Sequence, residues 1–245
     1  MRAMILAAGL GTRLRPLTND RPKALVELAG RTLLEITLRR LRDFGISDVI
    51  VNVHHFADTV VEYLMVNDQF GMKIEISRED DLLDTGGGLK KAAHFFLEDS
   101  SGEPFILHNV DVLSSLDLGE MVKFHRAHGA LATLAVRRRE SARQLLFDQK
   151  LQLCGRRTAG DANEDGLAEQ AEELAFSGIH VISPRIFERM HGQQAFPIIP
   201  VYLRLASEGE KILAYRDDES YWRDLGTPAS LKQAAEDMER KVLKT

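Results

Sequence analysis

The stretch MRAMILAAGLGTRLRPLTNDRPKALVELAG, residues 1–30, contains the features from which the fold is predicted. Met4 to Ala7 form an apolar run without alternating polar residues, which is typical of a strand buried on both faces of a parallel sheet. A loop with Gly9 and Gly11 follows at once. The chain therefore begins with a buried strand that leads into a glycine loop.

Helical spacing starts directly after this stretch. Leu34, Leu38 and Leu41 lie four and three residues apart, which places them on one face of a predicted helix over residues 32–44. The next apolar run, DVIVNV at residues 48–53, predicts a second strand. Together these segments predict one strand–helix–strand unit of a parallel sheet.

The same alternation continues along the chain. Further strands are predicted over residues 73–77, 104–112 and 131–136, and further helices over residues 58–66, 86–97 and 117–128. Alternation of this kind predicts an α/β fold with three α/β/α layers around a mostly parallel, mixed sheet.

After about residue 140, predicted strands and helices no longer alternate regularly. A hairpin is predicted within residues 145–155, strands over 173–183 and 211–216, and a last helix from Pro228 to about Val242; residues 158–173 are acidic and predict an exposed loop. Neither an internal repeat nor a linker divides the sequence. We expect a single domain over residues 1–245.

Charge and composition exclude several classes of protein. A net charge of −5 and a pI near 5.9 argue against a nucleic-acid-binding surface. The tight basic run, Arg137 to Arg139, is interpreted as a solvated strand end. Cys154, the one cysteine, allows no internal disulfide, which fits a reducing compartment, and its apolar neighbours predict a buried or half-buried thiol. No apolar run approaches the about 18 residues of a membrane span, so a cytoplasmic protein is expected.

The opening loop fits neither of two common phosphate-binding motifs. A dinucleotide fingerprint needs a third glycine where this chain has Leu14, and the chain has no P-loop motif. Arg13, Arg15 and Lys23 nevertheless place three cations close to the glycines, with few acidic residues nearby. These cations favour a polyanionic ligand such as a triphosphate, and the alternative is an ordinary strand-to-helix turn.

Two aspartates and a second glycine cluster complete the candidate residues. Asp111 comes at the carboxyl end of a predicted buried strand, where open α/β sheets bind ligands, and its carboxylate suits Mg²⁺. The alternative for Asp111 is a turn or helix-cap residue. Asp224, in YWRDLGT, is a candidate second carboxylate or a turn residue. TGGGLKKA, residues 85–92, either admits a bulky ligand or simply begins a helix.

Taken together, these segments resemble the sugar-1-phosphate nucleotidyltransferase family. LAAGLGTRLRPLTNDRPKALVELAG is similar to its Gly-x-Gly-Thr-Arg…Pro-Lys signature, HNVDV to its metal-binding strand end, and WRDLGTP to its late motif. The length, TGGG and FSGI resemble most the short branch that contains N-acetylmuramate 1-phosphate uridylyltransferase. The resemblance implies a Rossmann-like, GT-A-like fold, and no β-helix domain is expected. It also implies a nucleotide-binding half over residues 1–137 and a sugar-phosphate-binding half over residues 138–245.

The resemblance also implies an enzyme of the EC 2.7.7 type. Such an enzyme transfers a nucleotidyl group from a nucleoside triphosphate, with UTP favoured, to a sugar 1-phosphate and releases pyrophosphate. Asp111 and Asp224 would hold Mg²⁺, and Arg13, Lys23 and Asp111 would be catalytic. The implied nucleotide contacts are Leu6, Ala7, Ala8, Gly9, Gly11, Thr12, Arg13, Lys23, Thr85 and Gly86, and the implied sugar contacts are Asn109, Ser177 and Gly178. A monomer or homodimer, with no nucleic-acid or membrane partner, is expected.

Some alternatives stay open at this point. Val110 stands where relatives usually have glycine, so we expect it to narrow the space for a sugar or ribose. A Glu-Lys-Pro element used by hexose-specific relatives is absent from the sequence. Guanylyl or cytidylyl transfer to mannose phosphate, heptose phosphate or phosphocholine, and a catalytically silent nucleotide sensor, remain alternatives. A dinucleotide-dependent dehydrogenase is disfavoured by Leu14.

Overall fold

The computed structural model describes residues 1–98, 102–158, 171–191 and 194–240. The strands are β1 (Arg2–Leu6), β2 (Glu27–Leu28), β3 (Arg31–Thr32), β4 (Asp48–Val53), β5 (Lys73–Arg78), β6 (Phe105–Asn109), β7 (Val112–Ser114), β8 (Ala132–Arg137), β9 (Arg143–Phe147), β10 (Leu153–Thr158), β11 (Glu172–Ile182), β12 (Ile212–Arg216) and β13 (Trp222–Asp224). The α-helices are α1 (Leu33–Asp43), α2 (Ala57–Val66), α3 (Asp84–Lys91), α4 (Ala93–Leu97), α5 (Leu118–His128), α6 (Ile198–Ser207) and α7 (Pro228–Glu239). Short 3₁₀ turns cover Thr12–Leu14, Lys23–Leu25, Asp68–Gly71 and Pro184–Arg189.

One mixed sheet runs through the described part of the chain. Its main path has the order β10-β9-β11-β6-β1-β4-β5, and β8 and β12 join it at β11. The pairs β1–β4, β1–β6, β4–β5 and β8–β12 are parallel, whereas β11 runs antiparallel to β6, β8 and β9. The sheet is thus continuous across residue 137, where the two predicted halves meet, and the division into halves stays a prediction.

Helices cover both faces of this sheet. One core cluster joins the sheet to α1, α2, α5 and α7, and a second joins it to α3, α4 and α6. The three-layer α/β/α fold with a mostly parallel mixed sheet is therefore confirmed. None of the described helices combines the length and the apolar character that a membrane span requires.

The local signals in the sequence explain the position of α1. Thr32 begins the helix because its hydroxyl accepts a hydrogen bond from the Glu35 amide at 3.0 Å. The Glu35 carboxylate accepts a hydrogen bond from Arg39 Nε at 2.7 Å, one turn further along the helix. The chain leaves the helix through Gly45, whose φ of 77° is readily available to glycine.

Several predicted elements differ from the structure at their ends or in their continuity. The predicted strand 104–112 is two strands, β6 and β7, and the predicted helix 86–97 is broken at Ala92 into α3 and α4. Asp224, for which a turn was one alternative, instead ends the strand β13, which pairs with β7 over 100 residues earlier in the chain. Hydrophobic periodicity is a local pattern and does not report such a distant pairing.

Three further predictions, two about single side chains and one about a loop, can be compared with the structure. Cys154 is exposed on β10, so the prediction of a buried or half-buried thiol was wrong, because its side chain faces outward from an edge strand. Val110 is buried in a core cluster and therefore does not narrow a ligand space as we expected. Most of the predicted acidic loop, residues 159–170, lies outside the described residues.

Candidate active site

The two candidate metal carboxylates lie on one small ribbon. β7 and β13 pair antiparallel, with Val112 opposite Asp224, and the amide of Leu225 donates to the carbonyl of Asp111 at 2.7 Å. Asp111 occupies the break between β6 and β7, at the carboxyl end of β6. The ribbon thereby brings together two aspartates that are 113 positions apart in the chain.

Lys23 joins this pair from the opening loop. Its ammonium group forms a short ion pair with Asp111 Oδ2, and both side chains are largely buried, with 14% and 11% exposed. A partly buried ion pair holds its geometry better than one on an open surface, because less water competes for the charges. The ion pair fixes the opening loop against the end of β6.

Arg13 reaches the ribbon from the same loop. A Cβ atom on Gly226 would lie 2.6 Å from Arg13 Nη2 and 2.7 Å from Asp224 Oδ1. The guanidinium and the carboxylate therefore both pack on the Gly226 backbone, where a side chain would displace them. Arg13 remains exposed, which leaves its donors available to an anionic ligand.

The turn in the opening loop depends on Gly11. This residue has a φ of 63°, and an added Cβ would lie 3.0 Å from the side chains of Lys23 and Thr18. The Thr18 hydroxyl donates to the carbonyl of Gly11 at 2.8 Å. Gly11 thus permits both the left-handed turn and the close approach of Lys23.

A buried polar network supports the end of β1. The amide of Ala7 donates to Asn52 Oδ1 at 2.7 Å, and Asn52 Nδ2 donates to Glu79 Oε1 at 2.7 Å. Glu79 Oε2 also accepts from the amide of Leu83 at 3.0 Å. This network links the opening loop to the segment before α3, which together form the predicted nucleotide side.

The glycines of the TGGG motif have a structural role that the sequence did not reveal. The amides of Gly86 and Gly87 donate to the carbonyl of Phe196 at 2.9 and 3.1 Å, and the Thr85 hydroxyl accepts from the Ile198 amide at 2.9 Å. A Cβ on Gly86 would lie 2.5 Å from the Phe196 ring. The close approach to these glycines is thus made by the protein itself, at the segment before α6.

The structure places the predicted nucleotide contacts on these two segments. Ala7, Ala8 and Gly86 are buried, Leu6, Gly11, Lys23 and Thr85 are half-buried, and Gly9, Thr12 and Arg13 are exposed. Gly86 offers no free amide, because its amide already binds Phe196. The role of the remaining residues as nucleotide contacts stays a prediction.

The predicted sugar contacts meet beside the ribbon. Gly178 lies at an irregularity of β11 with a φ of 80°, and a Cβ there would lie 2.6 Å from Val112 Cγ2 and 3.1 Å from Asn109 Nδ2. Ser177 is buried, and its carbonyl accepts from Trp222 Nε1 at 2.8 Å. Asn109, Ser177 and Gly178 therefore share one corner of the site, although their contact with a sugar stays a prediction.

Arg139 belongs to this corner and was missed from the sequence. Its guanidinium carbon lies 4.3 Å from the centre of the Trp222 ring, and its Nη2 donates to the carbonyl of Phe176 at 2.9 Å. Arg137 also lies over Trp222, at 5.8 Å. The interpretation of this arginine run as a solvated strand end was wrong for Arg139, because the ring of Trp222 covers it. The arginine run lies four to six positions before β9, and its neighbouring residues give no sign of the contact with Trp222.

The ribbon carboxylates fit a divalent cation. In the part of the chain that is described, Asp111 Oδ1 and Asp224 Oδ2 have no hydrogen-bond partner, although each carboxylate uses its other oxygen. Carboxylate oxygens are the ligands that Mg²⁺ prefers, and the remaining ligands of such ions are commonly water and substrate phosphates. No group of three or more His, Cys, Asp or Glu side chains suited to a metal occurs among the described residues. The two aspartates therefore suit an ion completed by substrate, rather than a cage made of protein.

Comparison with known proteins identifies the family. A family model described as nucleotidyl transferase matches residues 2–241. The chain belongs to the nucleotidyl transferase family. The resemblance predicted from the opening loop, HNVDV and WRDLGTP is thereby confirmed.

Curated members of the nucleotidyl transferase family differ in their nucleotide and sugar. The chain is 34% identical to N-acetylmuramate alpha-1-phosphate uridylyltransferase of Caulobacter vibrioides, covering 96% of this chain and 95% of that protein. It is 28% identical to a probable mannose-1-phosphate guanylyltransferase of Oryza sativa subsp. japonica, covering 93% of this chain but 62% of that protein. The chain thus spans about the full length of the uridylyltransferase and less than two thirds of the guanylyltransferase.

A solved structure of similar fold supports the architecture of this family member. A putative glucose-1-phosphate thymidylyltransferase from Bacillus anthracis superposes with a TM-score of 0.80, at 17% identity, over 100% of this chain and 97% of that one. At this level of identity the likeness concerns the fold alone. The Rossmann-like fold predicted for the family is confirmed.

Proposed function

We propose that this protein transfers a uridylyl group from UTP to a sugar 1-phosphate, giving a UDP-sugar and pyrophosphate. The observation that carries the proposal is the meeting of Lys23, Asp111 and Asp224 at the carboxyl end of β6. Cations from the opening loop and carboxylates from the ribbon are there within reach of one phosphate chain. Open α/β sheets bind their ligands at this edge.

The chemistry requires placement of phosphates more than a protein nucleophile. An oxygen of the sugar phosphate attacks the α-phosphorus, the bond to the bridging oxygen of the β-phosphate breaks, and pyrophosphate leaves with that electron pair. Arg13 and Lys23 supply positive charge beside the phosphates, where it offsets the charge that moves to the leaving group. When bound by Asp111 and Asp224, Mg²⁺ supplies Lewis-acid neutralisation of the phosphate oxygens.

The preference for UTP rests on the comparison with relatives. The uridylyltransferase of Caulobacter vibrioides matches over nearly its whole length, whereas the guanylyltransferases have a large part that this chain does not match. Guanylyl transfer to mannose 1-phosphate is the second candidate, because relatives at 28% to 32% identity carry that name. The residues around Ala7 and Asn52 contact each other. They position the nucleotide side of the site but do not indicate which nucleobase it prefers.

A pyrophosphate-release screen tests the proposal. UTP, GTP, CTP and ATP are each combined with N-acetylmuramate 1-phosphate, mannose 1-phosphate, glucose 1-phosphate and phosphocholine, with Mg²⁺ present. We expect release with UTP and one of the sugar 1-phosphates, and no release when Mg²⁺ is replaced by a chelator. Faster release with GTP would replace the uridylyl assignment, and no release with any pair would favour the silent nucleotide sensor.

Replacing Lys23 by alanine tests the role of the opening loop. We expect kcat/KM for the nucleotide to fall at least about tenfold, or about 1.4 kcal/mol of transition-state stabilisation. The reason is that the variant lacks the ammonium group that lies beside the phosphates. The matched control is Arg21→Ala in the same loop, whose guanidinium is exposed and pairs with Asp20 at 3.2 Å. If the Lys23 and Arg21 variants had equal kcat/KM values, the assignment of Lys23 to the site would be wrong.

A further inference from the structure

The ribbon formed by β7 and β13 is too short to hold its own position. Each strand has three residues, and the two strands pair as a two-stranded sheet of their own. A two-stranded pair is marginally stable alone in water and needs packing against other elements. Because Asp224 ends β13, the contacts that hold this strand also determine where its carboxylate lies.

Neighbouring residues of β13 reach opposite sides of the ribbon. On one side, the Trp222 indole donates to the carbonyl of Ser177, in the corner of the predicted sugar contacts. On the other side, Tyr221 and Arg223 both contact α7. Since side chains alternate in direction along a strand, Asp224 lies on the side of Trp222. The strand is therefore held between the candidate active site and α7.

One carboxylate of α7, that of Asp237, binds both Tyr221 and Arg223. Its Oδ2 accepts hydrogen bonds from the Tyr221 hydroxyl at 2.8 Å and from Arg223 Nη2 at 2.7 Å. Arg223 Nε donates in turn to the Tyr221 hydroxyl at 3.0 Å, which closes a triangle of polar groups. The Asp237 side chain is only 13% exposed. A closed and largely buried network has few alternative arrangements, so it fixes both ribbon residues relative to α7.

The second oxygen of Asp237 keeps the carboxylate oriented. Gln233, one turn earlier in α7, donates from Nε2 to Asp237 Oδ1 at 3.2 Å. The hydrogen bond from Tyr221, together with those from Gln233 and Arg223, lowers the pKa of Asp237 below its ordinary value, so the group is charged at neutral pH. Each oxygen thus binds a protein donor, and the carboxylate acts through these donors rather than by binding a ligand.

The strand β13 is bonded to its partner segment at both ends. At its start, the Ser115 amide donates to the Tyr221 carbonyl and the Tyr221 amide donates to Ser115 Oγ, both at 2.9 Å. At its end, the Leu225 amide donates to the Asp111 carbonyl at 2.7 Å. Holding the start of the strand against α7 therefore fixes the angle at which Asp224 faces Asp111.

We propose that Asp237 is a positioning residue of the active site, which holds β13 from the side of α7 so that Asp111 and Asp224 share one divalent ion. A site with two carboxylates supplies few protein ligands, so its affinity depends on how well these two groups are placed in advance. Residues that orient metal ligands typically contribute about 10–100-fold in metal affinity. The inference rests on the proposed function, which gives the ion its use.

Titration with Mn²⁺ tests the inference without turnover. Trp222 is the one tryptophan of the chain, so incorporation of fluorotryptophan gives a single fluorine NMR resonance. This residue stands two positions before Asp224, or about 7 Å along the strand, where a bound Mn²⁺ broadens the resonance. The broadening yields the dissociation constant of the ribbon site, and Asp111→Asn is the reference for its loss.

The decisive pair of variants is Asp237→Leu and Gln233→Leu. Both place a leucine on the same face of α7, but only the first removes the acceptor of Tyr221 and Arg223. We expect Mn²⁺ to bind Asp237→Leu at least about tenfold more weakly than Gln233→Leu. Tyr221→Phe, which keeps the aromatic ring and removes one donor, is expected to lie between them. Should Asp237→Leu not fold, the comparison of Tyr221→Phe with the unmodified protein decides.

Denaturant unfolding separates positioning from stability. A role in stability alone would lower the unfolding free energy of Asp237→Leu and leave the Mn²⁺ dissociation constant of the folded protein unchanged. Equal dissociation constants for the two leucine variants would overturn the inference, as would Tyr221→Phe binding Mn²⁺ as tightly as the unmodified protein does, or an absence of broadening in the unmodified protein.

A kinetic measurement adds the link to the reaction. With a substrate pair from the pyrophosphate-release screen, the Mg²⁺ concentration for the half-maximal rate is expected to rise by the same factor in Asp237→Leu, while the rate at saturating Mg²⁺ stays within about threefold. If the screen finds no substrate pair, the proposed function fails, and the Mn²⁺ titration still decides whether Asp237 positions the two aspartates.

Discussion

Replacing Asp111 by asparagine is expected to lower kcat by at least about a hundredfold while the protein stays folded. The amide has nearly the same shape as the carboxylate, so the packing of the ribbon is kept. Its charge is lost, however, and with it both the ion pair to Lys23 and the anionic ligand for Mg²⁺. Pyrophosphate release at saturating substrates measures the effect.

The control for this variant is Asp20→Asn. Asp20 is an exposed carboxylate of the opening loop that pairs with Arg21 at 3.2 Å, away from the ribbon. We expect its kcat to equal that of the unmodified protein, and the far-ultraviolet circular dichroism of both variants to be unchanged. A kcat for Asp111→Asn within about threefold of the control would contradict the metal assignment, since a lost charged ligand costs more than that.

Replacing Gly178 by alanine is expected to lower both stability and activity. The added Cβ would meet Val112 Cγ2 at 2.6 Å and Asn109 Nδ2 at 3.1 Å, in a residue whose φ is 80°. The left-handed backbone costs an alanine about 1–2 kcal/mol, and overpacking adds about 1–3 kcal/mol. The unfolding free energy should fall by about 3 kcal/mol, and kcat should fall because Val112 follows Asp111 directly.

Gly45→Ala separates the two causes. Gly45 has a φ of 77° and nothing within 4 Å of an added Cβ, so this variant has the backbone cost without the contact. We expect a smaller loss of unfolding free energy, about 1 kcal/mol, and an unchanged kcat. Denaturant unfolding and pyrophosphate release decide the matter. Equal losses in the two variants would show that the corner formed by Asn109, Val112 and Gly178 is not tightly packed.

The fold was largely predictable because its signals are local. Buried strands such as β1 and β4 appear as apolar runs, and α1 is visible in the sequence through the spacing of its leucines. The breaks at Ala92 and between β6 and β7 were not predictable in this way. They follow from contacts with other elements, such as the pairing of β7 with β13.

The candidate site was predictable in part for the same reason. Arg13, Lys23 and Asp111 stand in recognisable segments, because a glycine loop and a strand end are features of neighbouring residues. Arg139 was hidden, since its partner Trp222 is 83 positions away and its own surroundings resemble an exposed charge run. The Gly86 cluster was visible, but the Phe196 segment that packs on it was not.

The amino-acid sequence by itself determined the class of fold, the opening loop and the residues that mark the family. Only the tertiary structure decided that Lys23 contacts Asp111, that Asp224 shares a ribbon with it, and that the ring of Trp222 covers Arg139. The physical reason is the range of the interactions. Burial patterns and turns depend on residues a few positions apart, whereas ion pairs and cavities depend on which distant segments the sheet brings together.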